Sequence, residues 1–392
     1  MVEVYPFKGI TYNSKAISNL DDVMSPPYDI ISEDMQNILY KKHPQNFVKL
    51  ILGKKNFEDN EKDNRYTRAK NLFDEWIKKS ILVESDKPAI FPYKIEYIVN
   101  NEKKIMNGFF VLLKLDPEYK LVKAHERTLS KPKADRLNLM RACHANLEPI
   151  QLLYIDKNDE IRKKIDKTIN DPLINVKGYD GFNHKLWKLE DNKIISMIQD
   201  KLKEDILFIA DGHHRYQTAI NYSNEIKEKT SNYNENASFN YRMVILANMF
   251  DDGLLIYPTH RLIKKSDVKI DDLLKDLEKY FTIEQKNIDL SKDNTKSVSQ
   301  KIKKDLETKD EHKFALYIKE KYYILTLKDE SVMDDFSSDK SKTWRTLDVS
   351  ILHKIILEHF MGIKQDNLED HVKYTRDDDE AVDSFNCGKF VF

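Results

Sequence analysis

Residues 208–219, Phe-Ile-Ala-Asp-Gly-His-His-Arg-Tyr-Gln-Thr-Ala, carry the densest chemistry in the chain. The apolar run from Leu207 to Ala210 meets Asp211-Gly212, and a helical pattern starts at His213. That order predicts a strand, a tight turn and a helix N-terminus. Gly212 leaves the backbone bare where the first helical N–H groups have no intrahelical partner, and the positive helix end suits an anion. His213, His214 and Arg215 add side-chain donors, and an arginine grips phosphate through two parallel N–H groups. Asp211, at the strand end, is a candidate ligand for a Mg²⁺ that a nucleotide would bring. His213 lies three before Tyr216 and shares a face with Ile220, so it is expected to be partly buried, with His214 and Arg215 aimed at ligand. The plainer alternative is a Gly-capped turn with a charged first helical turn. His-His-Arg is a poor stabiliser at a positive helix end. Zinc binding is the weaker alternative, because adjacent histidines rarely point at one ion.

Two further clusters have a similar character. Pro258-Thr259-His260-Arg261 ends an apolar segment, and His125-Glu126-Arg127-Thr128 precedes Lys131, Lys133, Asp135 and Arg136. Alone, each is ordinary surface charge. Together they supply phosphate donors, Arg127, His260 and Arg261 joining Gly212, His213, His214 and Arg215. Glu126 or Asp135 is a candidate general base or metal ligand. Asp29, after Pro26-Pro27, is another candidate catalytic carboxylate, or simply a turn residue before a helix. His214 is also a candidate catalytic group. His214, Arg215, Arg261 and Arg127 are expected to meet in one pocket.

The standard signatures are missing. The chain has no G-x-x-x-x-G-K-[ST], no G-x-G-x-x-G, no G-x-S-x-G, and no second histidine to complete H-E-x-x-H. Net charge is −1, from 65 basic and 66 acidic residues, which argues against a chain held to nucleic acid by its general field. Two cysteines, Cys143 and Cys387, make no disulfide framework or Cys-rich metal site. No 18-residue apolar run exists for a membrane span, and the first 20 residues show no apolar leader core. The sequence therefore predicts a cytoplasmic protein acting on a small molecule, with no nucleic-acid or membrane partner.

The elements that must position these residues form a mixture. Residues 4–12 read as extended chain. Ser32 is an N-cap for a helix through Met35, Ile38 and Leu39. Phe47 to Leu52 is a strand candidate, and 58–83 is helical, with Leu72, Trp76 and Ile77 on one face. Residues 89–99 and 105–115 are two strands, 155–171 and 190–203 have helical charge patterning, and 223–239 is a loop. Met243–Phe250 and Leu254–Tyr257 are expected as a hairpin around Asp251-Asp252-Gly253. Residues 265–310 read as mostly helical, Phe314–Ile318 and Tyr322–Leu327 as a hairpin, and Val349–Phe360 as an amphipathic helix. Hairpins and helices without steady alternation predict an α+β fold with a mixed sheet and packed helices. Four regions are expected: 1–120, a phosphate-binding core over 121–264, a hairpin-containing region over 265–345, and a helical tail over 346–392.

Ser25-Pro26-Pro27-Tyr28-Asp29, His125-Glu126-Arg127-Thr128 with Asp135-Arg136-Leu137, Ala210 to Tyr216, and Pro258-Thr259-His260-Arg261 occur in order across nearly the whole chain. This set resembles the bacterial and archaeal domain-of-unknown-function 1015 family. The resemblance implies a further Lys/Tyr-rich segment beyond Phe392, so the tail is expected to be truncated. More distantly, Asp211 to Tyr216 looks like the phosphate-binding turn of the ParB/sulfiredoxin superfamily, which includes CTP-hydrolysing clamps and free-serine kinases. That likeness implies a phosphate-binding core with a long insertion between Met24–Leu39 and Leu207–Tyr222. Sulfiredoxin chemistry needs a cysteine in the turn, where this chain has His213 and His214. The function expected is a phosphotransferase on a small hydroxylated metabolite, of the serine-kinase kind, using Mg²⁺ with ATP, ADP or CTP. A phosphohydrolase with the same pocket and a non-catalytic nucleotide sensor are the alternatives.

Overall fold

A computed structural model describes residues 1–99, 102–124, 130–255, 259–264, 266, 268–289, 291–307, 311–318, 320–364 and 367–386. The chain divides into two compact units, Met1–Leu255 and Ile256–Phe392. Both mix helices and strands, so the fold is α+β. The expected boundary near residue 120 falls inside the first unit, because strands on either side of it pair with each other.

The first unit is built on a nine-stranded mixed sheet. Its strands are β1 (Val4–Tyr5), β4 (Phe91–Val99), β5 (Glu102–Lys114), β6 (Val122–Lys123), β7 (Ile150–Tyr154), β8 (Ile174–Lys177), β9 (Asn183–Leu186), β10 (Leu207–Asp211) and β11 (Tyr241–Asn248). A separate ribbon pairs β2 (Ile10–Tyr12) with β3 (Leu82–Glu84). The sheet order is β6-β10-β7-β11-β5-β4-β9-β8, with β1 also beside β5. Seven helices belong to this unit: α1 (Glu33–Lys42), α2 (Val48–Ile51), α3 (Arg65–Lys78), α4 (Ser130–Cys143), α5 (Glu160–Asp166), α6 (Asn192–Leu202) and α7 (His213–Lys229). Its main core joins Val111, Leu113, Ile150, Leu152, Val244 and Leu246 on the sheet to Ile161, Ile198, Tyr216 and Ile220 on the helices.

Several elements follow from local sequence. Ser32 caps α1 by accepting from the Met35 N–H, and Asn64 with Thr67 makes a reciprocal capping box on α3. Other elements depart from expectation. Phe47 to Leu52 is helical, because buried Asn46 accepts from the Val48 N–H and donates to the Asp22 and Met24 carbonyls, which folds the run into a turn. The helix expected over 58–83 starts at Arg65 and stops at Lys78, and Leu82–Glu84 is strand. Of the 155–171 stretch only Glu160–Asp166 is helix, whereas α7 runs seven residues into the expected loop, to Lys229.

Among the described residues the Asp-Gly hairpin does not form. Both edges of β11 are already taken, by β5 antiparallel and β7 parallel. The Asp251-Asp252-Gly253 turn instead lies against β5. Asp251 accepts from the Asn107 backbone and side-chain nitrogens at 2.8 and 3.0 Å, and the Tyr97 hydroxyl donates to the Gly253 carbonyl. Residues 256–258, the end of the expected second strand, lie outside the described residues.

In the second unit, β12 (His260–Ile263) pairs with β16 (Val372–Thr375), and β13 (Phe281–Asn287), β15 (Lys321–Leu327) and β14 (Lys313–Ile318) make a three-stranded sheet in that order. The hairpin at 313–327 stands as expected. β13 was hidden within the Lys- and Asp-rich stretch, flanked there by helices Ile270–Leu277 and Thr295–Leu306. The closing helix starts as α-helix over Asp348–Ile351 and continues π-wound over Leu352–Phe360.

A Cβ built on Gly253 would stand 1.9 Å from the Ile105 carbonyl oxygen, a backbone atom with no room to yield. Gly253→Ala should therefore push the turn off β5 and cost about 2–4 kcal/mol. Urea unfolding of wild type and variant checks this, and an unchanged midpoint would show that the close approach is not needed.

Candidate functional site

The register of three strands creates the site. β11 runs parallel to β7 with Val244 opposite Ile150. Two residues earlier on each strand, Arg242 therefore stands beside Glu148. β10 runs antiparallel to β7 with Asp211 opposite Gln151, which brings the start of α7 to Pro149. Gly212 has φ +91°, and a Cβ there would meet the Arg215 Nε at 3.0 Å and Cζ at 3.1 Å. Only glycine both adopts this backbone readily and leaves room for the Arg215 guanidinium to fold back under the turn.

The outcome is three arginines gathered around one dipeptide. Arg136 of α4 donates to the Glu148 carboxylate (Nη1 to Oε2, 2.8 Å). Arg242 of β11 donates to the Glu148 carbonyl at 2.7 Å and to the Asn146 side chain at 2.5 Å. Arg215 of α7 donates to the Pro149 carbonyl and to Asp211. Arg136, Arg215 and Arg242 are 6%, 6% and 4% exposed, and Glu148 is 7% exposed. The other carboxylates lie further out: Asp135 has 17% of its side chain exposed and Asp211 has 49%. Fully buried positive charge thus outnumbers fully buried negative charge.

Arg242 feels this most. Burial pulls its guanidinium down to about 10, and the Arg215 and Arg136 charges push the same way against Glu148. Its Nε is buried with no hydrogen-bond partner among the described residues. Arg136 is held charged, burial being outweighed by Glu148 and Asp135. Asp135 is also depressed: burial raises it, but Arg136, the Tyr66 hydroxyl and Arg65 lower it more.

The Pro-Pro-Tyr-Asp segment closes one side. The Tyr28 ring lies 3.9 Å from the Arg136 guanidinium, and its backbone N–H donates to Glu148 Oε1 at 3.3 Å. Burial pushes the Tyr28 hydroxyl up to about 12. The arginines, Glu148, Leu139 and Leu147 line a small pocket of about 20 Å³ that opens to solvent.

The sequence-derived candidates distribute as follows. Asp211, Gly212 and Arg215 are in the cluster, and His214 is half-buried in the same first turn of α7. Arg215 is paired inside the protein, not held out toward solvent, and His213 is buried at 4% exposure. Asp29 is exposed beside Tyr28. Asp135 is taken up by Arg136, Arg65 and Tyr66. Glu126 and Arg127, with His125, lie outside the described residues. His260 and Arg261 belong to the second unit, where His260 meets Asp378 at 2.7 Å and Arg261 meets Thr259 and His353. Among the described residues no three His, Cys, Asp or Glu side chains are arranged to hold a metal ion.

Glu148 and Arg242 were not singled out from sequence, and Tyr28 entered only as part of the Ser25-Pro26-Pro27-Tyr28-Asp29 motif. Arg242 left a trace, as a lone charge heading the apolar Met-Val-Ile-Leu-Ala run of β11, where a charge needs a reason.

A family model described as a protein of unknown function (DUF1015) matches residues 4–350. The chain belongs to that family. The match spans the first unit almost entirely and enters the second, so the arginine cluster lies wholly within it. No curated protein and no solved structure matches the chain.

Glu148→Gln should remove the more buried of the two carboxylates paired with Arg136, leaving Asp135, and lower stability by about 3–5 kcal/mol. Chemical denaturation at low salt reads this directly. A loss under 1 kcal/mol would mean that Glu148 does not balance the cluster. Separately, a carboxyl depressed in the folded state stabilises above its ordinary range near pH 4. That contribution disappears as pH falls through its lowered value. Asp135→Asn should therefore flatten the acid limb of the stability curve below about pH 4.

Proposed function

We propose that the first unit binds the phosphate of a small metabolite or nucleotide at the Arg136–Arg215–Arg242 pocket and acts as a phosphotransferase on a small hydroxylated substrate. The observation that carries the reading is the excess of buried guanidinium over buried carboxylate. Each guanidinium has five N–H donors in a planar fork, and among the described residues Arg215 and Arg242 each meet two acceptors. A buried cation short of anions is costly unless a ligand completes it, and phosphate oxygens match the fork. Phosphoryl transfer is largely positioning and charge neutralisation, which such a pocket supplies.

In this reading Gly212 and the first N–H groups of α7 add main-chain donors. His214 sits in the same turn. Asp29, exposed after Tyr28, is the carboxylate favoured to take the acceptor's proton. Mg²⁺ enters with the nucleotide as part of the substrate, keeping most of its waters and needing only one or two protein carboxylates. Asp211 fits that need as the half-exposed member of the cluster, at the expense of its contact with Arg215. The serine-kinase version rests on the distant likeness of the Asp-Gly-His-His-Arg turn alone.

Phosphorus NMR with MgATP and a pool of hydroxylated metabolites, serine first, tests the chemistry. A new phosphomonoester supports transfer. Inorganic phosphate without an acceptor product points to hydrolysis, and binding with neither points to sensing. Arg242→Gln should weaken binding of the phosphate ligand by roughly 2–3 kcal/mol, about 30- to 150-fold. Equal calorimetric affinities for wild type and variant would remove the pocket from the function.

A further inference from the structure

The Thr259-His260-Arg261 motif belongs to the second unit and has its own geometry there. On the β12–β16 ribbon, Arg261 stands directly opposite Tyr374 and Ile263 opposite Val372. Paired residues project from the same face. Ile263 and Val372 are buried in the core with Ile351, Ile355 and Ile356, so Arg261 extends along the margin of an apolar surface. Its Nη1 donates to the Thr259 carbonyl and its Nη2 lies 3.2 Å from His353 Nε2. Its Nε is buried with no hydrogen-bond partner. The Tyr374 ring centroid is 5.6 Å from the guanidinium carbon, and Tyr374 is 43% exposed.

Arg261 has no carboxylate partner among the described residues, whereas its neighbours on the ribbon do. His260 meets Asp378 at 2.7 Å, and Lys373 meets Glu380 at 2.8 Å. His353 brings no negative charge. Burial and the Arg261 charge hold its imidazole down to about 4, so it is neutral, with Nε2 accepting from Arg261 and the proton on Nδ1. His353 is the second residue of the π-wound segment Leu352–Phe360. Such wide turns are rare and recur at functional sites. His353 and Tyr374 lie beyond the residues the family model matches.

We propose that Arg261, His353 and Tyr374 form a second anion site, which takes the single carboxylate of a small organic acid. One guanidinium and a neutral imidazole carry one positive charge, which one carboxylate balances. A phosphate dianion would leave surplus negative charge against an apolar wall. The planar carboxylate matches the guanidinium edge that includes the unpartnered Nε. Tyr374, open to solvent, turns aside to admit the acid and covers its apolar body.

The full chain, labelled for histidine NMR, is titrated with sodium benzoate and, separately, with inorganic phosphate. Benzoate should move the His353 ring resonances saturably, and phosphate should not. Arg261→Gln should weaken benzoate binding about tenfold or more. Arg261→Lys keeps the charge, loses the fork and should also bind weakly; it is the variant to read if Arg261→Gln fails to fold. The proposal is overturned if benzoate leaves His353 unmoved in wild type, or if the folded variants bind it as tightly. Phosphate that shifts His353 as strongly as benzoate would also overturn the carboxylate assignment. Neither result bears on the first unit's pocket, whose readout is Arg242.

Discussion

Three guanidiniums hold the Glu148–Pro149 dipeptide at the head of β7, and much of the first unit converges on that contact. β7 is central in the sheet, between β10 and β11. Arg136 ties α4 to it, Arg215 ties α7 and Arg242 ties β11. α4 is held to α3 through Asp135 with Arg65 and Tyr66, and to α7 through Arg141 and Glu225 at 2.7 Å. Helices, strands and the Tyr28 segment therefore meet at one charged point whose three guanidiniums are buried. A structural role alone explains the carbonyl contacts. It does not explain why three cations are used where neutral donors would satisfy the same oxygens at a smaller desolvation cost.

Parts of this were legible in the sequence because they are local. The strand-turn-helix at Leu207–Lys229 follows from an apolar run, a glycine that must take positive φ, and a helical pattern. The Ser32 cap and the 313–327 hairpin are equally local. What was hidden depends on pairing across long separations. Arg242 joins Glu148 only because β11 runs parallel to β7, which no short window reveals. The same pairing occupies both edges of β11 and so removes the hairpin that Asp251-Asp252-Gly253 suggests. At Phe47–Leu52 the apolar run is compatible with strand or helix, and buried Asn46 decides by bonding to residues 22–24. β13 has Phe281 and Ile283 as its only apolar alternation, and it is specified by its partner β15 rather than by its own composition.

The candidate site shows the same division. The sequence pointed to the Asp211–Arg215 turn and to the Pro-Pro-Tyr-Asp segment, but not to their relation. Arg215 was expected to face ligand and is instead wedged beneath Gly212 with Asp211 and Pro149. His260 and Arg261 look, as types, like more of the same donor set, yet they are bonded within the second unit. Residue type predicts what a side chain can hold. Register and burial decide what remains for a ligand to hold.

The central claim, that the Arg136–Arg215–Arg242 cluster is an anion site and not only a brace, is tested most directly at one atom. Arg242 Nε is buried and, among the described residues, without an acceptor. In ¹⁵N-detected NMR of arginine side chains, titration with inorganic phosphate at constant ionic strength should shift the Arg242 Nε resonance saturably. Chloride at the same ionic strength should not. An Arg242 Nε resonance that is assigned and unmoved at saturating phosphate and nucleotide would contradict the account.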